Sequence, residues 1–289
     1  CQKMKWPDII GYTFYKALGT SAASIESSDE VFQTNLTPLQ HRFTATGINF
    51  VVVRKSRENE EPIVSGYEYF RHKVEKLINL GAGCGYPLRL PEPLREEEFW
   101  DGFPQAESAP YSLAKKMLVI QGIAYRQQYG LNAITMIPSN LYGANDNFNL
   151  FQAHAIPALI RKFLEATRDG KPEVEVWGDG TAKRDFIHSA DVAAAMVEAA
   201  LHYDEAQPLN IAYGQQHSMR TVVEELTRIS GFKGKVAWNT SKPSGQSSRE
   251  FSLENLRKKL PSYQSKIPLK QGLETTYKWL ADNYATARL

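Results

Sequence analysis

Tyr111 and Lys115 stand four residues apart in the segment PYSLAKKMLVIQGIAYRQQYG, and on a helix that spacing puts both side chains on one face. The chemistry such a pair offers is proton transfer. A free tyrosine has a pKa of about 10, and bringing it to about 7 needs roughly 4 kcal/mol. A unit positive charge at about 4 Å, at an effective dielectric near 20, supplies on the order of 4 kcal/mol. Lys115 would then let Tyr111 give or take a proton near neutrality. Spacing alone does not single this pair out, because Tyr12 with Lys16 and Tyr69 with Lys73 repeat it.

Two further side chains carry reactive chemistry. Cys84 follows the strand-like EKLINL in GAGCGYP, just beyond the end of a strand, and open α/β sheets bind ligands at that edge. Asn140 and Tyr142 follow ITMI in PSNLYGANDNF, so they fall at the end of the next strand and face the same edge. His154 precedes the helical IPALIRKFLEA. On residue type alone, a single Cys is a small buried hydrophobe more often than a base, and a His before a helix more often completes a loop.

The elements that must hold these residues alternate. Short β-branched runs at Ile48–Val53, Lys76–Leu80, Ala133–Ile137, Val174–Trp177, Leu209–Tyr213 and Lys235–Trp238 lie between helical patterns, which argues for an α/β fold with a mostly parallel sheet. Leu113, Met117, Ile120 and Ala124 recur at helical spacing and are expected to face the core, with Tyr111 and Lys115 on the opposite side. Ser189 and Ser218 are placed to cap helices, the second ending before Gly231. Further helices are expected at Ile156–Thr167 and Leu273–Tyr284.

The totals narrow the class. A chain of 289 residues buries roughly 75% of its unfolded surface, enough for one large domain or two small ones. Hydrophobic residues make up 42% and charged residues 23%, and no apolar run approaches the ~20 residues of a membrane span. The net charge of +2 is too small and dispersed for a nucleic-acid or membrane surface. Two cysteines, Cys1 and Cys84, support neither a disulfide framework nor a cysteine zinc site. No metal is expected, and a reducing cytoplasm fits. The run Arg54–Glu61, RKSRENEE, reads as a solvated loop.

Taken together, LGAGCGYP, APYSLAKK, PSNLYGANDNF, AHAIPALIRKFLEA, VWGDGTAKRDFIH and KPSGQSSR, in this order over roughly Glu75 to Leu289, resemble the extended short-chain dehydrogenases of the NAD-dependent epimerase/dehydratase group that act on sugar nucleotides. The resemblance implies a Rossmann-type, doubly wound parallel sheet formed by residues 1–143 with 185–215. Residues 144–184 with 216–289 would make a smaller substrate domain. It implies epimerisation of an NDP-4-keto-6-deoxyhexose, GDP being the expected nucleotide, with reduction at C4 by NADPH, or NAD in its place. Cys84 and His154 would exchange protons at carbons flanking the ketone, as base and acid. Tyr111 would protonate the alkoxide, and Lys115 would hold the nicotinamide ribose. Pro138, Ser139 and Asn140 would line the cofactor with His154. Arg184, Arg249, Asn140 and Asn147 would meet the nucleotide sugar, Arg249 standing where relatives commonly carry Lys. Relatives of this type commonly form homodimers.

Two departures qualify that picture. Ala82 stands where relatives carry Ser or Thr to donate to the ketone, and losing one such donor costs ~10²-fold or more. This keeps open epimerisation without net reduction, on a bound NAD. A dinucleotide fold also opens with a strand, a G-x-x-G-x-x-G type loop and a helix. In residues 1–80 only Gly11, Gly19, Gly47 and Gly66 occur, each too far from the next, and GAGCG is followed by YPLRLPEP. With Cys rather than Met at position 1, the loop is expected upstream of this sequence. The other possibility is a non-catalytic protein that has kept only sugar-nucleotide binding.

Overall fold

Two buried apolar runs, KLINL at Lys76–Leu80 and NAITMIP at Asn132–Pro138, pair as parallel strands β2 and β3, with Lys76 opposite Asn132 and Leu80 opposite Met136. Strand β1, Phe50–Val53, runs antiparallel along β2, and β7, Leu209–Ile211, runs parallel to β3, giving the order β1-β2-β3-β7. This computed structural model describes residues 50–53, 76–88, 90–242 and 246–289. The charge run Arg54–Glu61, Cys1 and the pairs Tyr12/Lys16 and Tyr69/Lys73 lie outside the described residues, as do Ile48 and Asn49 of the first expected strand.

Helices cover both faces of this sheet. Side chains alternate along a strand, so Lys76 and Asn79 point to opposite faces. Asn79 Nδ2 donates to the carbonyl of Leu118 in α1, Ala109–Tyr129. Lys76 Nζ donates to the carbonyls of Ala199, Ala200 and Tyr203 at 3.2, 2.8 and 2.7 Å, capping the last turn of α3, Ser189–His202. A buried ammonium with three acceptors at a helix C-terminus satisfies both itself and the orphan carbonyls. The result is the doubly wound α/β arrangement expected from the alternation of elements.

The orientation of α1 differs from expectation. Leu113, Met117 and Ile120 are 43%, 47% and 46% exposed, while Ala109, Ser112, Lys115, Lys116, Val119 and Gly122 are buried. Periodicity finds the apolar stripe but does not say which face meets the sheet. Here small residues let the helix lie close, and two lysines bury their stems while their ammonium groups reach the carbonyls of Leu80 and Gly102. The cap of α3 also differs: His188 Nδ1 accepts from the Ala190 amide at 3.2 Å, and Ser189 is already helical.

The second half of the molecule surrounds another core. Strand β4, Asn140–Tyr142, is parallel to β6, Lys183–His188, which takes β8, Gln216–Ser218, antiparallel. Strands β5, Glu173–Trp177, and β9, Lys235–Asn239, pair in parallel. Helices α2, Ala155–Arg168, α4, Met219–Ser230, and α6, Leu269–Asp282, close over Phe163, Val176, Leu226 and Leu273. Ser218 caps α4 as expected, its Oγ accepting from the Thr221 amide, and Gly231 ends it at φ 69°. The first core, around Ile78, Ile134 and Met196, also takes in Phe251, Leu253, Leu256 and Leu260, on and beside α5, Glu254–Lys259.

Candidate active site

Cys84 sits in a single 3-10 turn, Gly83–Gly85, directly after β2. The Gly81 amide still donates to Met136, extending the ladder, and the Gly85 and Tyr86 amides close the turn on Ala82 and Gly83. The glycines on either side of Cys84 are there for packing. A Cβ at Gly83 would stand 2.6 Å from the Phe251 ring, and one at Gly85 2.7 Å from Phe99. The dense glycines of GAGCG therefore make room for aromatic rings.

Across this turn, Arg249 Nη2 donates to the carbonyls of Gly83 and Tyr86 at 3.1 and 3.2 Å. Below it, Tyr86 Oη donates to Asn210 Oδ1 at 2.7 Å, and Asn210 Nδ2 donates to Leu94 and Ser252. Glu96 completes this buried network, accepting from the Asn210 amide and from Asn255 Nδ2.

Tyr111 and Lys115 face the same turn from the N-terminal part of α1. Lys115 Nζ lies 5.6 Å from the Tyr111 ring centre and donates to the carbonyl of Leu80, the last residue of β2. Burial pushes Lys115 down to about 8, opposed by the Cys84 charge. Tyr111 behaves opposite to expectation. Desolvation of its phenol, with the Cys84 charge adding, pushes it up to about 12, although the residue as a whole is 56% exposed. The physical reason is that Lys115 is itself desolvated and tied to a backbone carbonyl, so in this protein alone its field does not overcome the burial of the phenol.

The remaining expected site residues divide. Ser139 Oγ donates to Asp185 Oδ1, Asn140 Nδ2 donates to the Asp185 carbonyl, and buried Asp185 also accepts from the Tyr213 and Gly214 amides. Pro138, buried at the end of β3, and these two side chains brace the edge of the sheet. Tyr142 is buried and not part of the edge, its hydroxyl directed at the Leu269 carbonyl. Asn147 Oδ1 accepts from the Asn149 amide within its own loop. His154 is the N-cap residue of α2 but its side chain caps nothing, and although the residue as a whole is exposed, the protein around its ring lowers its pKa by desolvation. At neutral pH its imidazole is uncharged.

Arg184 donates to the Lys183 carbonyl and shares electrostatic neighbours with Arg249, both being influenced by Glu92. Burial depresses both guanidinium groups. Close by in the fold, the buried nitrogens Gln216 Nε2, His217 Nε2, Gln246 Nε2 and Arg249 Nε have no partner among the described residues. Arg184 pairs with His217 across β6 and β8, Ser248 bridges Gln216 and Glu92, and Gln246 accepts from Arg249. The two arginines are expected from the sequence, whereas Gln216 and His217 belong to no motif and Gln246 lies in KPSGQSSR without a role of its own there. Among the described residues no three metal-ligating side chains cluster, and no helix is long and apolar enough to cross a membrane.

Comparison with known proteins supplies a context for this geometry. A model described as "NAD dependent epimerase/dehydratase family" matches residues 15–212. The probable GDP-L-fucose synthase 1 of Oryza sativa subsp. japonica is 36% identical over 215 residues, covering 74% of this chain and 65% of that protein. The GDP-L-fucose synthase of Sinorhizobium fredii is 38% identical over 216 residues, covering 75% and 68%. This chain thus spans about two thirds of the length of these relatives. The crystal structure of a GDP-L-fucose synthetase from Naegleria fowleri bound to NADP superposes with a TM-score of 0.73 at 28% identity, over 77% of this chain and 71% of that one.

Proposed function

The chain belongs to the NAD dependent epimerase/dehydratase family, and from that premise we propose that it epimerises a GDP-linked 4-keto-6-deoxyhexose and reduces it at C4 with NADPH. The observation that carries this reading is the convergence of Cys84, Tyr111 and Lys115 at the carboxyl end of β2. A redox site needs only the tyrosine and lysine, whereas a nearby thiol adds a base able to remove a proton next to a ketone. The relatives' names supply the substrate class.

In this reading Cys84, as thiolate, takes a proton from a carbon flanking the ketone, and His154 returns one from the other face. The neutral imidazole of His154 must first be charged, which a negative charge developing beside it in the reaction favours. Arg184, Arg249 and the unpartnered donors of Gln216, His217 and Gln246 suit that diphosphate. Asn140 and Asn147 lie beside its path. Tyr111 gives its proton to the C4 alkoxide, for which a phenol at about 12 is a competent acid.

The donor set at the end of β2, the Tyr111 hydroxyl and the partly desolvated Lys115 ammonium, fits the hydroxyls of a nicotinamide ribose. Pro138, Ser139 and Asn140 would form its floor. A loop for the pyrophosphate is not among the described residues. When bound, the dinucleotide supplies the hydride.

We assign the cofactor domain to residues 1–143 with 185–215 and the substrate domain to the rest, with Phe251–Leu260 docked on the first. The exposed stripe Leu113, Met117 and Ile120 suits a second copy of the chain, making a homodimer, and the two-cysteine composition suits the cytoplasm. Ala82, at the entry to the Cys84 turn with no donor to offer, supports a second reading, epimerisation without net reduction. An assay with a GDP-4-keto-6-deoxyhexose separates them: NADPH absorbance is expected to fall in step with product. Product formed without NADPH loss establishes the second reading. Binding of GDP with neither turnover nor dinucleotide binding overturns both.

A further inference from the structure

Arg249 sits too deep in the Cys84 turn for a ligand-binding arginine alone. Its Nη2 donates to the carbonyls on both sides of Cys84, those of Gly83 and Tyr86, and Nη1 donates to Gln246 Oε1 at 2.6 Å. The segment that carries it is itself fixed. The Leu94 amide donates to the Glu250 carbonyl, the Ser252 amide returns a bond to Leu94, and Leu94 and Phe251 form a parallel bridge. Next in the chain, the Phe251 ring occupies the space a side chain at Gly83 would need and meets Tyr86 edge-on at 5.9 Å. The Cys84 turn is thus held from outside its own strand, by a segment 165 positions later.

We propose that Arg249 is a positioning residue for Cys84, clamping the two ends of its turn and setting a fixed positive charge beside the sulfur. Three of its hydrogen bonds go to protein atoms, so the charge stays in place whether or not substrate is bound. The base must be thiolate before it accepts a proton: the carbon–hydrogen bond breaks, a sulfur–hydrogen bond forms, and the electron pair passes to the ketone as enolate. A guanidinium beside the sulfur favours the charged form before the step. Among the described residues, Tyr111 and Lys115 also interact electrostatically with Cys84, while Arg184, Glu92 and Tyr86 act on Arg249 itself. Burial lowers the pKa of Arg249, and its interaction with Cys84 opposes that shift.

This rests on Cys84 acting as the base, and the test separates the two ideas by using the substrate-free protein. Cys84 is partly exposed, and its alkylation by iodoacetamide is followed by mass spectrometry of its own peptide, so Cys1 does not interfere. In Arg249→Met the rate near neutral pH is expected to fall about tenfold, with the pH–rate profile moving about one unit higher. Arg249→Lys, which keeps a charge without the two-carbonyl fork, is expected to restore the profile while kcat for proton exchange stays depressed and KM changes little. An unchanged alkylation profile in Arg249→Met, with only KM for the sugar nucleotide raised, would leave Arg249 a substrate ligand and nothing more, and overturn the proposal. If Arg249→Met does not fold, the kcat-against-KM split of Arg249→Lys decides in the same sense. Full epimerisation by Cys84→Ala would instead remove the base assignment and leave the clamp standing on the alkylation data.

Discussion

The turn that carries Cys84 and the loop that leads to His154 would serve the two faces of one sugar, yet they are built in opposite ways. The Cys84 turn has Phe251 packed against Gly83 and Phe99 against Gly85, is strapped by Arg249 and is underlain by the Tyr86–Asn210–Glu96 network. Residues 145–153 are held by short local bonds. Asn147 Oδ1 accepts from the Asn149 amide, and Asn149 Oδ1 accepts from the Phe151 amide. The loop's ties to the rest of the molecule are to the C-terminal segment and α2: buried Phe148 stacks on Trp279, bonds the Arg288 carbonyl through its amide and accepts from Arg161 Nη1, and Asn149 Nδ2 donates to the Leu289 carbonyl, while Phe151 is 98% exposed. A base must be in place before the C–H bond breaks, so rigidity serves it. An acid delivered from a loop adapts to whichever sugar face is presented.

The largest effect that tests this contrast is the loss of the two proton-transfer groups. Cys84→Ala is expected to sit near the upper end of the ~10²–10⁴-fold range for general acid–base catalysis, and His154→Ala near its lower end. The difference arises because water at the open loop substitutes for an acid readily, but is far too weak a base to replace a thiolate beside a ketone. Deuterium incorporation from solvent at the exchanging carbons measures both. Equal losses would mean that the two regions are equally committed and would break the contrast.

The next effect concerns what lies beneath the loop. Asp146 is fully buried, and among the described residues it accepts from the Asn147 amide alone and leaves Oδ2 without a partner. Burial raises it from 3.8 to about 7, the Asn147 hydrogen bond and Arg288 opposing. The folded pKa lies above the unfolded one, so between about pH 4 and pH 7 the native state holds a proton the unfolded chain has lost. Stability therefore falls as pH rises through that window, by up to about 4 kcal/mol. Asp146→Asn is expected to flatten this slope, matching the parent near pH 4 and exceeding it near pH 8. Urea denaturation at the two pH values checks it, and parallel slopes for parent and variant would show that the carboxyl is not the source.

How far the sequence revealed these regions depended on whether the signal was local. The expected strands at 76–80, 133–137, 174–177 and 235–238 match observed ones to within a residue or so, because β-branched runs bounded by turn residues report their own burial. Strand β6 was missed because KRDFIH begins with charges and is apolar only at Phe186–Ile187. The face of α1 was misassigned because its buried side is small residues and lysine stems, an arrangement set by the sheet beneath it and not by the helix's own pattern. Cys84, Tyr111 and Lys115 were legible as a group through their motifs. The role of Arg249 was not, because it depends on carbonyls 163 and 166 positions away. Nor was the raised phenol of Tyr111, which reflects how deeply its partner lysine is itself desolvated.

The smallest expected effect lies at the tip of the His154 loop. Phe151→Ser removes a large aromatic, a change that would be severe beside Cys84, where a ring fills each side of the turn. At the tip the ring touches almost nothing, and its transfer to water is already complete in the native state. The unfolding free energy is therefore expected to change by less than about 0.5 kcal/mol, the range of surface substitutions away from packed features. The amide that anchors the tip to Asn149 Oδ1 belongs to the backbone and is untouched by the substitution. Urea denaturation of the variant and its parent at one pH is sufficient. A loss above about 1 kcal/mol would mean that the ring is packed in solution, and the loop would then be as preformed as the Cys84 turn.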